Sequence, residues 1–112
     1  FAIIDAGMND LIRPSLYEAW HEVKELENRE IPSDTYDLAG PVCETGDILA
    51  KGRNLKILPN DFVAFMDVGA YGSVMSSNYN SRLKPMELLV TGDEIEVIRR
   101  KETFEDLIAL ES

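Results

Sequence analysis

The chain breaks into short apolar runs separated by turn-forming residues, a pattern typical of short strands. Residues 62–68 are the most continuous run, which predicts a strand buried on both faces. Residues 86–90 and 95–100 flank the turn-forming sequence Thr91-Gly92-Asp93-Glu94, which predicts a hairpin. Several such strands joined by Gly- and Pro-rich turns favour a mainly β fold, a barrel or a sandwich, with short helices.

The remaining elements are shorter. The sequence predicts strands at residues 1–4, 21–26 and 35–42, brief apolar runs at 48–50 and 55–58 that residues 51–53 separate, and helices from Pro14 and over 103–110. Pro14 suits the first turn of a helix, where its missing N–H has no partner to lose. Thr103 and Asp106 have the spacing of a capping box. Residues 69–85 form a long polar segment, and such loops in compact domains are usually functional or disordered.

Length and charge narrow the class of protein. The 112 residues suffice for one domain, residues 1–112. A formal net charge of −10 repels phosphate backbones and anionic lipids, so we expect neither nucleic-acid nor membrane binding. A single cysteine cannot form an internal disulfide, which favours the cytoplasm. The chain begins at Phe1 directly in an apolar run, and we interpret it as a fragment of a longer protein.

Residues 40–47, here called the cysteine turn, hold Cys43 beside Glu44 between two Gly-containing pairs. Such a turn can fix a side chain in place, a thiol can release a proton, and a carboxylate can hold an ammonium group. From these eight residues alone, a half-buried cysteine acting as a small hydrophobic side chain is the more ordinary interpretation. One cysteine and one histidine, His21, do not make a zinc site, and we predict no metal.

Three stretches, residues 5–17, 40–47 and 69–82, together resemble the C-terminal domain of the diaminopimelate decarboxylase family, in the same order. That family uses pyridoxal 5'-phosphate and belongs to the alanine-racemase and ornithine-decarboxylase superfamily. The resemblance extends from residue 1 to about residue 107. It implies a Greek-key-like β-barrel that follows an N-terminal TIM-barrel domain absent from this chain. Leu83 stands where many relatives have proline, a small departure.

The resemblance also implies an activity, the decarboxylation of meso-2,6-diaminopimelate to L-lysine. Cys43 matches the family's proton donor, and Glu44 matches the residue that binds the distal amino group of the substrate. Arg13 and Tyr17 match the pair that holds the substrate carboxylate, and Tyr71 matches the tyrosine that reaches the cofactor phosphate and the substrate. In the family the enzyme is a homodimer with active sites shared between subunits.

Each assignment has an ordinary alternative. Arg13 could be a solvated charge that pairs with Asp10, and Tyr17 and Tyr71 could be packing rings. Arg13 and Tyr17 are four residues apart, a spacing that would place both side chains on one face of the helix. Lys51 is not expected to attach the cofactor, because in the family that lysine lies in the preceding domain.

Two other functions remain open. A related decarboxylase could act on arginine, ornithine or carboxynorspermidine, but Arg13, Tyr17 and Glu44 favour a substrate with a distal carboxylate and ammonium group. A non-catalytic interaction module could keep the fold, and it would be expected to have lost Cys43, Glu44 or Tyr71. We expect the isolated chain to be inactive, because it lacks the attachment lysine and the Gly-rich phosphate loop.

Overall fold

The computed structural model describes residues 1–111 as seven short strands and three short helices. The elements in chain order are β1 (Ala2–Ile3), α1 (Arg13–Tyr17), β2 (Val23–Glu25), β3 (Asp34–Ala39), β4 (Ile48–Leu55), β5 (Val63–Phe65), α2 (Gly69–Gly72), β6 (Glu87–Thr91), β7 (Glu94–Arg99) and α3 (Phe104–Leu107). A single 3-10 turn at Tyr79–Ser81 lies between α2 and β6. No helix within these residues is long and apolar enough to cross a membrane.

The strands form three separate sheets. In the largest, β3 lies between β1, which runs parallel to it, and β4, which runs antiparallel. Strands β2 and β5 form an antiparallel pair, and β6 and β7 form another. The predicted mainly β class is confirmed. The ladders within residues 1–111 do not close into a barrel, so barrel closure stays a prediction.

Strand β4 corrects one sequence prediction. Residues 51–53 were expected to separate two apolar runs, yet β4 passes through them without interruption. Gly52 adopts a φ of +63°, and its N–H donates to the Asp37 carboxylate across the pair at 2.8 Å. Shifts in the β3–β4 register follow between Tyr36 and Ala39. The glycine therefore allows an irregularity within one long strand and does not end it.

Strand β5 corrects a second sequence prediction. The apolar run at 62–68 was expected to be one long strand buried on both faces, but only Val63–Phe65 is extended and paired, and its side chains are half-buried. Asp67 has a φ of 57°, which ends the extended conformation, and Phe62 is 70% exposed. Because β5 pairs with β2 alone, its sheet has two edges and little cover.

Strand β1 is shorter and less buried than expected for residues 1–4, because Ile3 is 70% exposed. The predicted hairpin is confirmed, with Thr91 opposite Glu94 and Gly92 at a φ of +59° in the two-residue loop. Every side chain of β7 is exposed in the part of the chain that the structure describes.

Helices α1 and α3 begin where the sequence predicts and end early, whereas α2 lies within residues 69–85, which were expected to be a loop. Pro14 lies in the first turn of α1, and Glu18, at a φ of 55°, ends the helix before Trp20. Helix α3 carries the predicted capping box, in which Thr103 and Asp106 each accept the other's main-chain N–H, but it ends at Leu107 and not at residue 110.

The core is centred on Leu38, whose side chain is completely buried in the middle strand of the largest sheet. Ala50 and Leu55 of β4 pack with it, and half-buried side chains from β1, β2 and β5 surround them. The core thus joins two of the three sheets, and it lies beneath the strand that leads into the cysteine turn.

Replacing Leu38 with alanine should lower the free energy of unfolding by about 2–5 kcal/mol, because lost apolar burial adds to the cost of a cavity. Denaturant titration would measure the change. Leu89→Ala is the matched control, since Leu89 is 49% exposed, and it should cost less than about 0.5 kcal/mol. Equal losses for the two variants would contradict this location of the core.

Candidate active site

The three motif-bearing stretches meet in space, beginning with residues 5–10 and the loop after α2. The main-chain N–H of Ser77 donates to the carbonyl oxygen of Asn9 at 2.9 Å, and the Asn9 amide donates back to the Ser77 carbonyl at 3.4 Å. Asn9 is only 2% exposed. These reciprocal hydrogen bonds hold two segments that are far apart in the sequence.

The cysteine turn is attached to the same place through Asp47, which is 2% exposed. Its carboxylate accepts the main-chain N–H of Met8 at 2.6 Å and that of Val42 at 2.7 Å. Its own carbonyl accepts the N–H of Gly40 at 2.9 Å. Sequence analysis missed Asp47, although aspartate in a Gly-rich turn often accepts main-chain N–H groups, and that preference could have indicated it.

The contacts among residues 5–10, the cysteine turn and the loop after α2 are here called the junction. Arg82, from the third stretch, completes it. Its Nη2 donates to the carbonyl oxygen of Asp5 at 2.6 Å, and its Nη1 lies 3.9 Å from the Asp10 carboxylate. A β-carbon at Gly7 would lie 2.7 Å from Nη1 and 3.0 Å from a methyl group of Val42. A larger residue at position 7 would have to displace the end of the Arg82 side chain, a close approach that the sequence did not predict.

The junction leaves Cys43 and Glu44 exposed. Besides the Gly40–Asp47 bond, two main-chain hydrogen bonds hold the turn, from the N–H of Glu44 to the Val42 carbonyl at 2.8 Å and from the N–H of Asp47 to the Glu44 carbonyl at 3.0 Å. Within residues 1–111, the only hydrogen bond to the Glu44 carboxylate comes from the adjacent Thr45 hydroxyl, at 3.3 Å. Cys43 is therefore not the half-buried hydrophobic side chain of the ordinary interpretation.

Helix α1 lies against the cysteine turn, because the Ser15 hydroxyl donates to the carbonyl oxygen of Gly46. Its first residue, Arg13, places its guanidinium carbon 5.8 Å from the centre of the Tyr71 ring. The structure thus brings Arg13 and Tyr71 together beside the turn that carries Cys43. An ion pair between Arg13 and Asp10 is absent from the described part of the chain.

Both candidate tyrosines are on the surface. Tyr17 is 62% exposed and Tyr71 is 58% exposed, so neither is a core ring. No hydrogen bond of either hydroxyl occurs among residues 1–111, which leaves both hydroxyl groups free to donate to a ligand.

Trp20 and Arg53 support the segment that follows α1. The Arg53 guanidinium lies 4.5 Å from the centre of the Trp20 ring and donates to the main-chain oxygen of His21 at 2.6 Å. Burial lowers the pKa of Arg53 from its usual value. His21 is buried, with Nδ1 3.0 Å from the Met66 carbonyl oxygen.

Helix α2, which carries Tyr71, is linked to the C-terminal hairpin by a polar network. The Ser73 hydroxyl donates to the Glu87 carboxylate at 2.6 Å, and Arg99 donates to both at 3.1 Å. Next to this network lies a mostly apolar cleft of about 450 Å³, between α2 and the hairpin. No local sequence pattern indicates this network, since its members come from three separate elements.

No cluster of metal-ligating side chains occurs in residues 1–111. Lys51 lies exposed on β4, on a strand and not in the motif junction. The described residues form a sheet domain in which a thiol, a carboxylate and two phenols are exposed and the Arg13 guanidinium is half-buried.

Residues 1–69 match the family described as the pyridoxal-dependent decarboxylase C-terminal sheet domain. The chain belongs to this family. It is also similar to whole enzymes named diaminopimelate decarboxylase, with 53% identity over its full length to that of Pseudomonas aeruginosa and 47% over 96% of its length to that of Archaeoglobus fulgidus.

Solved structures of diaminopimelate decarboxylases are similar to this chain as well. Diaminopimelate decarboxylase from Helicobacter pylori, complexed with L-lysine, superposes with a TM-score of 0.90 at 49% identity over 97% of this chain. The enzyme from M. jannaschii, also with L-lysine, gives 0.92 at 40% identity over 98%. The chain spans 27% of the P. aeruginosa and H. pylori proteins, 26% of the A. fulgidus protein and 25% of the M. jannaschii protein.

Proposed function

We propose that this chain is the C-terminal sheet domain of a pyridoxal 5'-phosphate-dependent decarboxylase that converts meso-2,6-diaminopimelate to L-lysine. The observation that carries the proposal is the junction of the three motifs. It sets Arg13 beside Tyr71, next to the turn that presents Cys43 and Glu44. Relatives with 45–54% identity that bear the name diaminopimelate decarboxylase support it.

The distal end of the substrate carries an ammonium group and a carboxylate, and the surface offers a partner for each. Glu44 accepts hydrogen bonds from the ammonium, because a carboxylate pairs with it through charge-assisted contacts. Arg13 binds the distal carboxylate with its planar fork of donors, and the Tyr17 hydroxyl adds one more. A local cation is needed here because the chain has a net charge of −10.

Tyr71 fits a role at the cofactor. Its exposed hydroxyl can donate to a phosphate oxygen, and Arg13 nearby favours negative charge. Bound pyridoxal phosphate supplies the electron sink for the electrons that remain on carbon when CO₂ leaves. We place the attachment lysine in the part of the protein outside this chain.

Cys43 supplies the proton in this proposal. The thiol transfers its proton to the carbon that has lost CO₂, and the resulting thiolate takes a proton from water before the next turnover. The cysteine turn holds the thiol at the surface, so the acceptor carbon must be on a site that another surface brings to it. We propose that this surface belongs to the second subunit of a homodimer. We also propose that the enzyme acts in the cytoplasm.

The full-length protein provides the test. With pyridoxal phosphate and meso-2,6-diaminopimelate, it should release CO₂ and L-lysine in equal amounts, measured by a coupled CO₂ assay and by chromatography. Arginine, ornithine and carboxynorspermidine should not react. Preferred turnover of one of these would favour a related decarboxylase, and no turnover of any would favour a non-catalytic module.

The isolated chain is the matched negative control. It should neither decarboxylate the substrate nor keep pyridoxal phosphate after dialysis. A stable, stoichiometric adduct at one of its own lysines, mapped by mass spectrometry, would contradict the location proposed for the attachment lysine.

A further inference from the structure

We propose that Asp47 is the residue that positions Cys43 and Glu44 relative to Arg13, a role that rests on the proposed function. The cysteine turn and the segment leading into α1 lie far apart in the sequence, and both are bound by this one carboxylate. Oδ1 accepts the N–H of Met8 at 2.6 Å, and Oδ2 accepts the N–H of Val42, next to Cys43, at 2.7 Å.

The surroundings of Asp47 are shaped around its carboxylate. Asp47 is 2% exposed. A β-carbon at Gly40 would lie 2.6 Å from Oδ1 and 2.7 Å from the carbonyl oxygen of Ala6, closer than real contacts of this kind. The glycine therefore leaves the space that the carboxylate fills. Within residues 1–111 no Lys or Arg nitrogen lies within 4.0 Å of it, so main-chain N–H groups, not a cation, hold it.

The hydrogen bonds of Asp47 determine where the cysteine turn places the side chains of Cys43 and Glu44. Within residues 1–111, the side chains of Cys43 and Glu44 have no hydrogen bond to residues outside the cysteine turn, so their positions depend on the turn that carries them. Small misplacements of a reacting group slow a reaction strongly, because the reactive geometry is then rarely reached. Asp47 itself touches neither substrate nor cofactor in this proposal, and it acts through the turn.

Asp47→Asn in the full-length enzyme is the direct test. Asparagine keeps the shape but has one acceptor oxygen, so its NH₂ group faces a main-chain N–H that it cannot bind. We expect kcat with meso-2,6-diaminopimelate to fall about tenfold. The solvent deuterium isotope effect on kcat should rise, because proton delivery becomes slower than the other steps. A simple loss of folded enzyme would lower the apparent kcat but leave the isotope effect unchanged.

Two further variants test the mechanism of the effect. Gly40→Ala introduces a methyl group that displaces the Asp47 carboxylate. It should reproduce both the loss in kcat and the larger isotope effect. The double variant Gly40→Ala/Asp47→Asn should be no less active than the more affected single variant. In a Cys43→Ala background, Asp47→Asn should have little further effect on kcat, whereas displacement of Glu44 should still lower kcat/KM. Asp37→Asn is the control, since Asp37 also accepts one main-chain N–H, at 2.8 Å, but from Gly52 in β4.

Amide hydrogen exchange gives a readout that does not depend on activity. Peptides covering residues 5–12 and 40–46 should exchange faster in Asp47→Asn and not in Asp37→Asn. Unchanged exchange, unchanged kcat, or losses in kcat that multiply in the Cys43→Ala background would overturn the proposal. A wild-type enzyme without decarboxylase activity would refute the proposed function instead, and exchange would still decide whether Asp47 holds the turn.

Discussion

Mixing two inactive variants of the full-length enzyme should restore about a quarter of wild-type activity. One variant is Cys43→Ala, and the other lacks the lysine that attaches the cofactor. Alone, Cys43→Ala should lower kcat by about 10²–10⁴-fold, because a positioned proton donor contributes on that scale. In a mixed dimer, one site collects both defects, while the other combines an intact lysine with an intact Cys43 from the partner subunit.

Random exchange of subunits puts about half of the dimers in the mixed form, each with one working site. Activity is measured after exchange, and native mass spectrometry counts the heterodimers. Two copies of the Cys43→Ala variant treated in the same way serve as the control and should stay inactive. Confirmed heterodimers without recovered activity would mean that Cys43 acts within its own chain or takes no part in catalysis.

Glu44→Gln should lower kcat/KM for meso-2,6-diaminopimelate by about ten- to a hundredfold, because a charge-assisted hydrogen bond to the distal ammonium is lost. An analogue without the distal amino group should be almost indifferent to the change. Steady-state kinetics with both compounds measures the difference.

The control for Glu44→Gln is Glu30→Gln, which removes the same charge from an exposed position in the loop between β2 and β3. It should leave kcat/KM for both compounds unchanged. If Glu44→Gln reduces turnover of substrate and analogue equally, Glu44 shapes the turn and does not bind the ammonium group.

Local features of this chain were predictable, because the interactions that form them lie within a few residues. Gly92 in the hairpin loop, Pro14 in the first turn of α1 and the Thr103–Asp106 capping box all occur where expected. The five candidate site residues were also found from the sequence, but through the resemblance. Their types and spacing alone left the ordinary alternatives open.

Element lengths were less predictable, because neighbours in space decide them. The apolar run at 62–68 has the composition of a buried strand, yet β5 pairs with β2 alone and ends before Asp67. Residues 51–53 have the composition of a turn, yet β4 continues through them because β3 pairs with it on both sides, at Ala50 and at Arg53. Hydrophobicity and turn propensity do not report how many partners a strand has.

The sequence by itself determined the mainly β class, the turn between β6 and β7 and the starts of α1 and α3, since backbone preferences and contacts within one turn decide them. Only the tertiary structure decided that Asp47, Arg82 and Gly7 form the junction near which the candidate site residues lie. Each of these contacts joins residues more than 30 positions apart, and no local pattern encodes which main-chain N–H a carboxylate meets after folding. The sequence identified Arg13 only as a candidate. Its position over the Tyr71 ring depends on the packing of α1 against the cysteine turn, which is a tertiary contact.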